Sequence, residues 1–229
     1  MARLAAREGV TAIAATPHVR HDYPTTPEQI ELGVASLNSD FEEEQIDLRV
    51  LPGAEIDLER LGDLTESELR RLSLAQTGRY VLVEIPLAGW PLYLERHIFE
   101  LRAACVTPLL AHPERNREVQ ANAALVEAAT RVGALVQVTA ASLDGTLGRQ
   151  VRRTCERLLE LELVHVLASD AHAPATRTGL SAAAASLRDE GLARYLTHDV
   201  AAAIIAGEEI PPSGAARRHR AQRLSRWWR

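Results

Sequence analysis

Short apolar runs alternate with longer amphipathic stretches along most of this chain. Residues 10–15, 48–51, 80–83, 107–110, 134–138 and 164–168 read as buried strands. Residues 92–104, 122–132, 147–161, 178–190 and 198–206 carry helical periodicity, and 63–74 reads as a polar, helical insertion. Thr26, Pro27 and Glu28 open another helix, with Thr26 as N-cap and Pro27 at the first helical position. Residues 2–8 read as the end of a helix, and Gly9, Gly133 and Gly207 stand where helices close. Six strands alternating with helices predict parallel strands and right-handed crossovers. A doubly wound sheet and a closed barrel both satisfy that pattern.

The residues after the strands favour a barrel. Five of the six runs end in a His, Glu or Asp: His18, Glu55, Glu84, His112, and Asp170 with His172. A barrel gathers all its strand ends at one face, whereas an open sheet concentrates its chemistry near two strands at a switch point. No glycine-rich phosphate loop follows any strand. Taken singly, His18 could be a loop histidine, Glu55 and Glu84 caps or surface ion pairs, His112 a core histidine, and Asp170 an N-cap beside a surface His172. Taken together, three carboxylates and three imidazoles suit Mn²⁺, Fe or Zn²⁺, and they are too many for one tetrahedral ion. Arg115 and Arg177 lie a few residues beyond ligands, and a guanidinium fork binds phosphate oxygens in pairs.

Composition narrows the chemistry. Cys105 and Cys155 are the only cysteines, and neither has an arginine six positions later, which argues against a cysteine-nucleophile phosphatase loop. All 26 basic residues are arginine, so arginine content alone does not indicate nucleic acid. The net charge is −5, and six arginines crowd the last thirteen residues, leaving an acidic body unsuited to a general nucleic-acid footprint. No run reaches membrane-spanning length and no signal-peptide core opens the chain, so the expected compartment is the cytoplasm.

ATPH at 15–18, YPTTPEQI at 23–30, LPGAEI at 51–56, VEIP at 83–86, AHPERN at 111–116 and SDAH at 169–172 carry a resemblance. They resemble the bacterial PHP-type (polymerase and histidinol phosphatase superfamily) metal-dependent protein-tyrosine phosphatases of capsule and exopolysaccharide operons. The resemblance implies a distorted TIM-like (β/α)7 barrel over residues 1–212, followed by a basic Arg/Trp tail at 213–229. That family opens with a strand bearing His-x-His and then Asp-Asp-Gly. This sequence has no such segment, so six parallel strands and fewer than the family's three ions are expected.

By the same resemblance, Glu55 bridges two ions, Glu84 and His112 complete one site, Asp170 serves another, and His18 and His172 serve the third. Arg115 and Arg177 hold the phosphate. Mn²⁺ is the expected ion, with Fe, Zn²⁺ or Mg²⁺ also accepted by such a set. The implied substrate is phosphotyrosine on a membrane-bound bacterial tyrosine kinase. The alternatives are a PHP phosphoesterase acting on a small-molecule phosphate, and an inactive metal-binding or interaction module. Trp227 and Trp228 among arginines suit either a membrane surface or a solvated tail.

Overall fold

Each of the first two predicted strands is followed, after a break, by a second short strand that opens on a candidate ligand. The computed structural model describes residues 1–172, 179–187 and 189–212. Helix α1 (Ala2–Arg7) leads to β1 (Ala12–Ala15), then β2 (His18–Val19) and α2 (Pro27–Glu43). Next come β3 (Arg49–Pro52), β4 (Glu55–Asp57), a short tight helix over Leu58–Asp63 and α3 (Glu66–Leu72). The βα alternation follows: β5 (Tyr80–Glu84), α4 (Leu94–Ala103), β6 (Thr107–Ala111), α5 (Arg117–Ala121) and α6 (Ala124–Arg131). Then come β7 (Leu135–Thr139), α7 (Ala140–Asp144), α8 (Arg149–Glu160), β8 (Val166–Ala168), α9 (Leu180–Ser186), α10 (Glu190–Arg194) and α11 (Val200–Ala206).

Every strand pair is parallel. The order β2-β4-β5-β6-β7-β8 forms one sheet, and β1-β3 continues its first two positions as a separate pair. Six strand positions in sequence order, with helices in the crossovers, make the α/β, TIM-like arrangement expected from the sequence. Pro17, which has no N–H, interrupts the first position, and Pro52-Gly53 interrupts the second. Gly53 fits closely there: a Cβ would stand 3.1 Å from Leu74 Cδ2 and 3.4 Å from the Ala15 carbonyl oxygen. Beyond the break the Pro17 carbonyl accepts from Glu55 N, and His18 pairs with Glu55 in the new register.

Burial on both faces explains why these strands read as continuous apolar runs. In β5, Tyr80 and Leu82 enter one apolar cluster and Val81 and Val83 the other. Leu110, fully buried at the centre of β6, packs in the second cluster with Ile98 of α4. Leu110→Ala should therefore cost about 2–5 kcal/mol, read as a shift of the urea midpoint. A cost under about 1 kcal/mol would show that the sheet face repacks freely.

Helix α2 begins as its sequence predicts. Thr26 Oγ1 accepts from Gln29 N at 3.3 Å, and the Gln29 side chain accepts from Thr26 N at 2.9 Å, a reciprocal cap. Thr65 and Glu68 cap α3 in the same way. The predicted helix over 178–190 is divided instead. It ends at Ser186, Leu187 is extended, and Asp189 caps α10 through Leu192 N. A wide turn over Tyr195–Asp199 then joins α10 to α11. Thr178 and the tail at 213–229 lie outside the described residues.

One contact ties the two ends of the strand series. The carboxylate of Glu8, just past α1, accepts from Ser181 N at 3.3 Å, across 173 positions. A Cβ on Gly179 would fall 2.2 Å from Glu8 Oε1, so the glycine makes room for this clasp. Helix α1 has no buried residue of its own. Among the described residues no helix is long and apolar enough to cross a membrane.

Candidate metal centre

The C-terminal ends of the strands converge on a cavity of about 170 Å³ lined by His18, Glu55, Glu84, His112, Arg115, Asp170 and His172. The six side chains expected as ligands all line it, with one of the two expected arginines. Arg177 lies outside the described residues. His18 opens β2, Glu55 opens β4 and Glu84 ends β5. His112 follows β6 directly, and Asp170 follows β8 by two residues. Both take left-handed backbone, with φ 35° at His112 and 47° at Asp170. For residues with a Cβ that conformation costs about 1–2 kcal/mol, and such outliers gather at functional sites.

Glu55 is the hub. Only 5% exposed, it meets His112 Nε2 at 2.8 Å through Oε1 and His18 Nδ1 at 3.8 Å through Oε2. Glu84 reaches the same two rings, at 3.4 Å from His18 Nδ1 and 3.8 Å from His112 Nε2. Ligand atoms of His18, Glu55 and Glu84 all lie within 4.8 Å of one another. On the far side, Asp170 Oδ2 accepts from Arg115 Nη1 at 3.3 Å, and Asp170 Oδ1 lies 3.7 Å from His172 Nδ1. His172 is 63% exposed at its side chain, and its ring stands 6.4 Å from that of His18.

The electrostatics follow from crowding two carboxylates in a dry site. Burial and the neighbouring Glu55 charge raise the Glu84 carboxyl above its ordinary range. Burial also works against the Glu55 carboxylate, but the His112 hydrogen bond and nearby positive charge outweigh it and hold Glu55 low. His112 answers in kind: burial opposes its charge, and the Glu55 partner still raises it. Buried atoms of this cluster are left without hydrogen-bond partners among the described residues, namely His18 Nδ1, His112 Nδ1 and Glu84 Oε2. Orphaned lone pairs on imidazole and carboxylate are the donors a divalent ion takes, so the residues present fit a metal.

These shifts predict a pH dependence for metal-free protein. A raised carboxyl favours folding below about 4.5 and loses that contribution as pH climbs through its folded value. The raised His112 contributes fully below 6.5 and is lost above its folded value. The melting temperature of chelated protein should thus fall as pH rises above about 6.5. With metal the trend should reverse, because ions compete with protons for the same atoms. Parallel pH trends with and without metal would exclude these residues as ligands.

Three residues that sequence reasoning passed over support the site. Glu114, fully buried, accepts from Thr139 N at 2.9 Å and Ser142 Oγ at 2.7 Å, and so fixes the loop between His112 and Arg115 against the end of β7. Burial pushes its carboxyl up. Asn116 caps α5 through Glu118 N and Val119 N, and its amide donates to the carbonyls of Pro86 and Gly89. The loops after β5 and β6 are thereby locked together. Glu114 and Asn116 lie in the AHPERN stretch, which was the available signal. Arg20, with Nη1 3.6 Å from Glu84 Oε2, had no signal in a chain where every basic residue is arginine. Neither cysteine joins the cavity: Cys105 is exposed, and Cys155 is buried with its thiol pushed up by that burial.

The fold and site can be set beside known proteins. Tyrosine-protein phosphatase YwqE of Bacillus subtilis is 40% identical over 180 residues, covering 77% of this chain and 70% of that protein. A chain from crystal structures of YwqE from Bacillus subtilis and CpsB from Streptococcus pneumoniae, described as unique metal-dependent tyrosine phosphatases, superposes with a TM-score of 0.85. It shares 34% identity, over 92% of this chain and 87% of that one. A family model described as capsular polysaccharide synthesis, CpsB/CapC, matches residues 1–205. With its PHP-type fold and its match over nearly the whole described length, this chain belongs to the CpsB/CapC family.

Proposed function

We propose that this chain is a metal-dependent protein-tyrosine phosphatase acting on a bacterial tyrosine kinase that regulates capsule or exopolysaccharide synthesis. The observation that carries the reading is the convergence of six ligand-type side chains and Arg115 on one small cavity. A relative with the same fold is described as a metal-dependent tyrosine phosphatase. His18, Glu55, Glu84 and His112 would hold one ion or an adjacent pair, and Asp170 and His172 the remaining position. The hard donor set favours Mn²⁺. When bound, such ions supply an activated water and neutralise charge on phosphoryl oxygens.

The chain's own groups do the rest. Glu55 spans the two halves of the cluster and sets the spacing of the imidazoles around it. Arg115 offers its fork from the β6 side, where Asp170 already steadies one of its nitrogens at 3.3 Å. Glu114 and Asn116 keep that fork in place. A cavity of about 170 Å³ admits a phosphoryl group and leaves the aromatic ring and peptide at the surface. Activity on a phosphotyrosine peptide should require Mn²⁺, vanish with chelator and survive thiol alkylation. A small phosphate ester of the histidinol phosphate type should be the poorer substrate. A clear preference for the small ester, or activity lost to alkylation, would overturn the assignment.

A further inference from the structure

Arg20 lies one residue past β2, on the strand end that delivers His18. One edge of its guanidinium is taken by Asp22: Nε donates to Oδ1 at 3.0 Å and Nη2 to Oδ2 at 3.4 Å. Its backbone is held as well, with Arg20 N donating to the Tyr23 carbonyl at 2.9 Å and Tyr23 N to that of Arg20 at 3.2 Å. The remaining nitrogen, Nη1, stands 3.6 Å from Oε2 of Glu84, a carboxylate that lines the cavity. That separation is an attraction through space and not a made hydrogen bond. Arg115 is disposed alike on the other side, with Nη1 at Asp170 Oδ2. Two guanidiniums thus lean on two carboxylates of the same cluster.

We propose that Arg20, held against Glu84 as Arg115 is held against Asp170, is a second phosphate-contacting residue, with Asp22 as its positioning residue. The proposal rests on the reading of the site as a phosphomonoesterase centre. A phosphate monoester presents three non-bridging oxygens, and Arg115 can cover at most two of them. An N–H aimed by a fixed carboxylate meets the third with little loss of side-chain freedom. Were Glu84 to hold a cation, Nη1 would be free to meet an incoming anion. With its side chain 37% exposed, Arg20 contributes little to folding through its ion pairs, so its removal leaves the scaffold intact.

The test uses the full chain loaded with Mn²⁺ and the variants Arg20→Ala, Arg20→Lys and Asp22→Ala. Calorimetric binding of inorganic phosphate is measured beside kcat/KM on a phosphotyrosine peptide and on p-nitrophenyl phosphate. Arg20→Ala should weaken phosphate binding about tenfold and lower kcat/KM on both substrates by about 10- to 100-fold. Metal content and melting temperature should stay unchanged. Arg20→Lys should recover part of the loss, and Asp22→Ala should fall between wild type and Arg20→Ala. Unchanged phosphate affinity in Arg20→Ala, with an active wild type, would overturn this proposal and leave the phosphatase reading standing. A loss confined to the peptide would also overturn it, because Arg20 would then read the flanking chain. An inactive wild type whose phosphate binding Arg20→Ala still weakens would sink the phosphatase reading alone. A wild type that neither hydrolyses nor binds phosphate would end both.

Discussion

Glu55→Gln should strip the centre of tightly bound metal and lower phosphotyrosine hydrolysis by more than about a thousandfold. The substitution keeps the side chain's shape and a hydrogen-bonding oxygen for His112, so the fold should survive. What disappears is the buried negative charge between two imidazoles, 2.8 Å from one and 3.8 Å from the other. Glutamine is a far weaker ligand for a hard cation, and Glu84 alone would then carry the charge on that side of the cavity. Elemental analysis of the purified variant, with circular dichroism as the control for folding, reads this directly. A folded Glu55→Gln protein with its full metal content and rate would remove Glu55 from the site.

The two histidines at the extremes of burial should behave oppositely. His112 is 3% exposed and bonded to Glu55, so His112→Ala leaves a void beside an unpaired buried carboxylate. Breaking such a pair costs about 3–5 kcal/mol, which lowers the melting temperature by roughly 10 °C in a chain of this size. Tight metal binding should go with it. His172 sits at the mouth, and the hydrogen bond found for its ring is to the Asp170 carbonyl, at 3.1 Å. His172→Ala should change stability by less than about 0.5 kcal/mol and leave the tightest ion bound. Metal analysis and thermal melts of the two variants decide the matter: equal metal loss would show that the outer position binds as strongly as the inner one.

The strand runs were legible because burial on both faces makes them apolar without interruption, as at residues 80–83 and 107–110. The clustering of ligands was legible from position alone: His18, Glu55, Glu84, His112, Asp170 and His172 each follow such a run. The split of the first two strand positions was harder to see. Pro17 and Gly53 announce a turn, but that the chain resumes in the same sheet depends on the Pro17 carbonyl finding Glu55 N across the break. Left-handed backbone at His112 and Asp170 also left no trace, since neither is glycine. The break after Ser186 was hidden by the helix-favouring alanines at 182–185 that precede it. The AHPERN stretch marked Glu114 but not its burial, because a lone Glu reads as surface and only the partners brought by β7 and α7 make that burial tolerable.

The clasp between Glu8 and Ser181 has a consequence for the order in which the molecule opens. Its partners are 173 positions apart, and the helix supporting it buries no side chain. Such a closure forms late and is released early, well below the free energy of global unfolding. Amide exchange should therefore be fastest at Ser181 and the first helix, and slowest in the strands over Tyr80–Glu84 and Thr107–Ala111. Glu84 and His112, which end and directly follow those two strands, should share their protection.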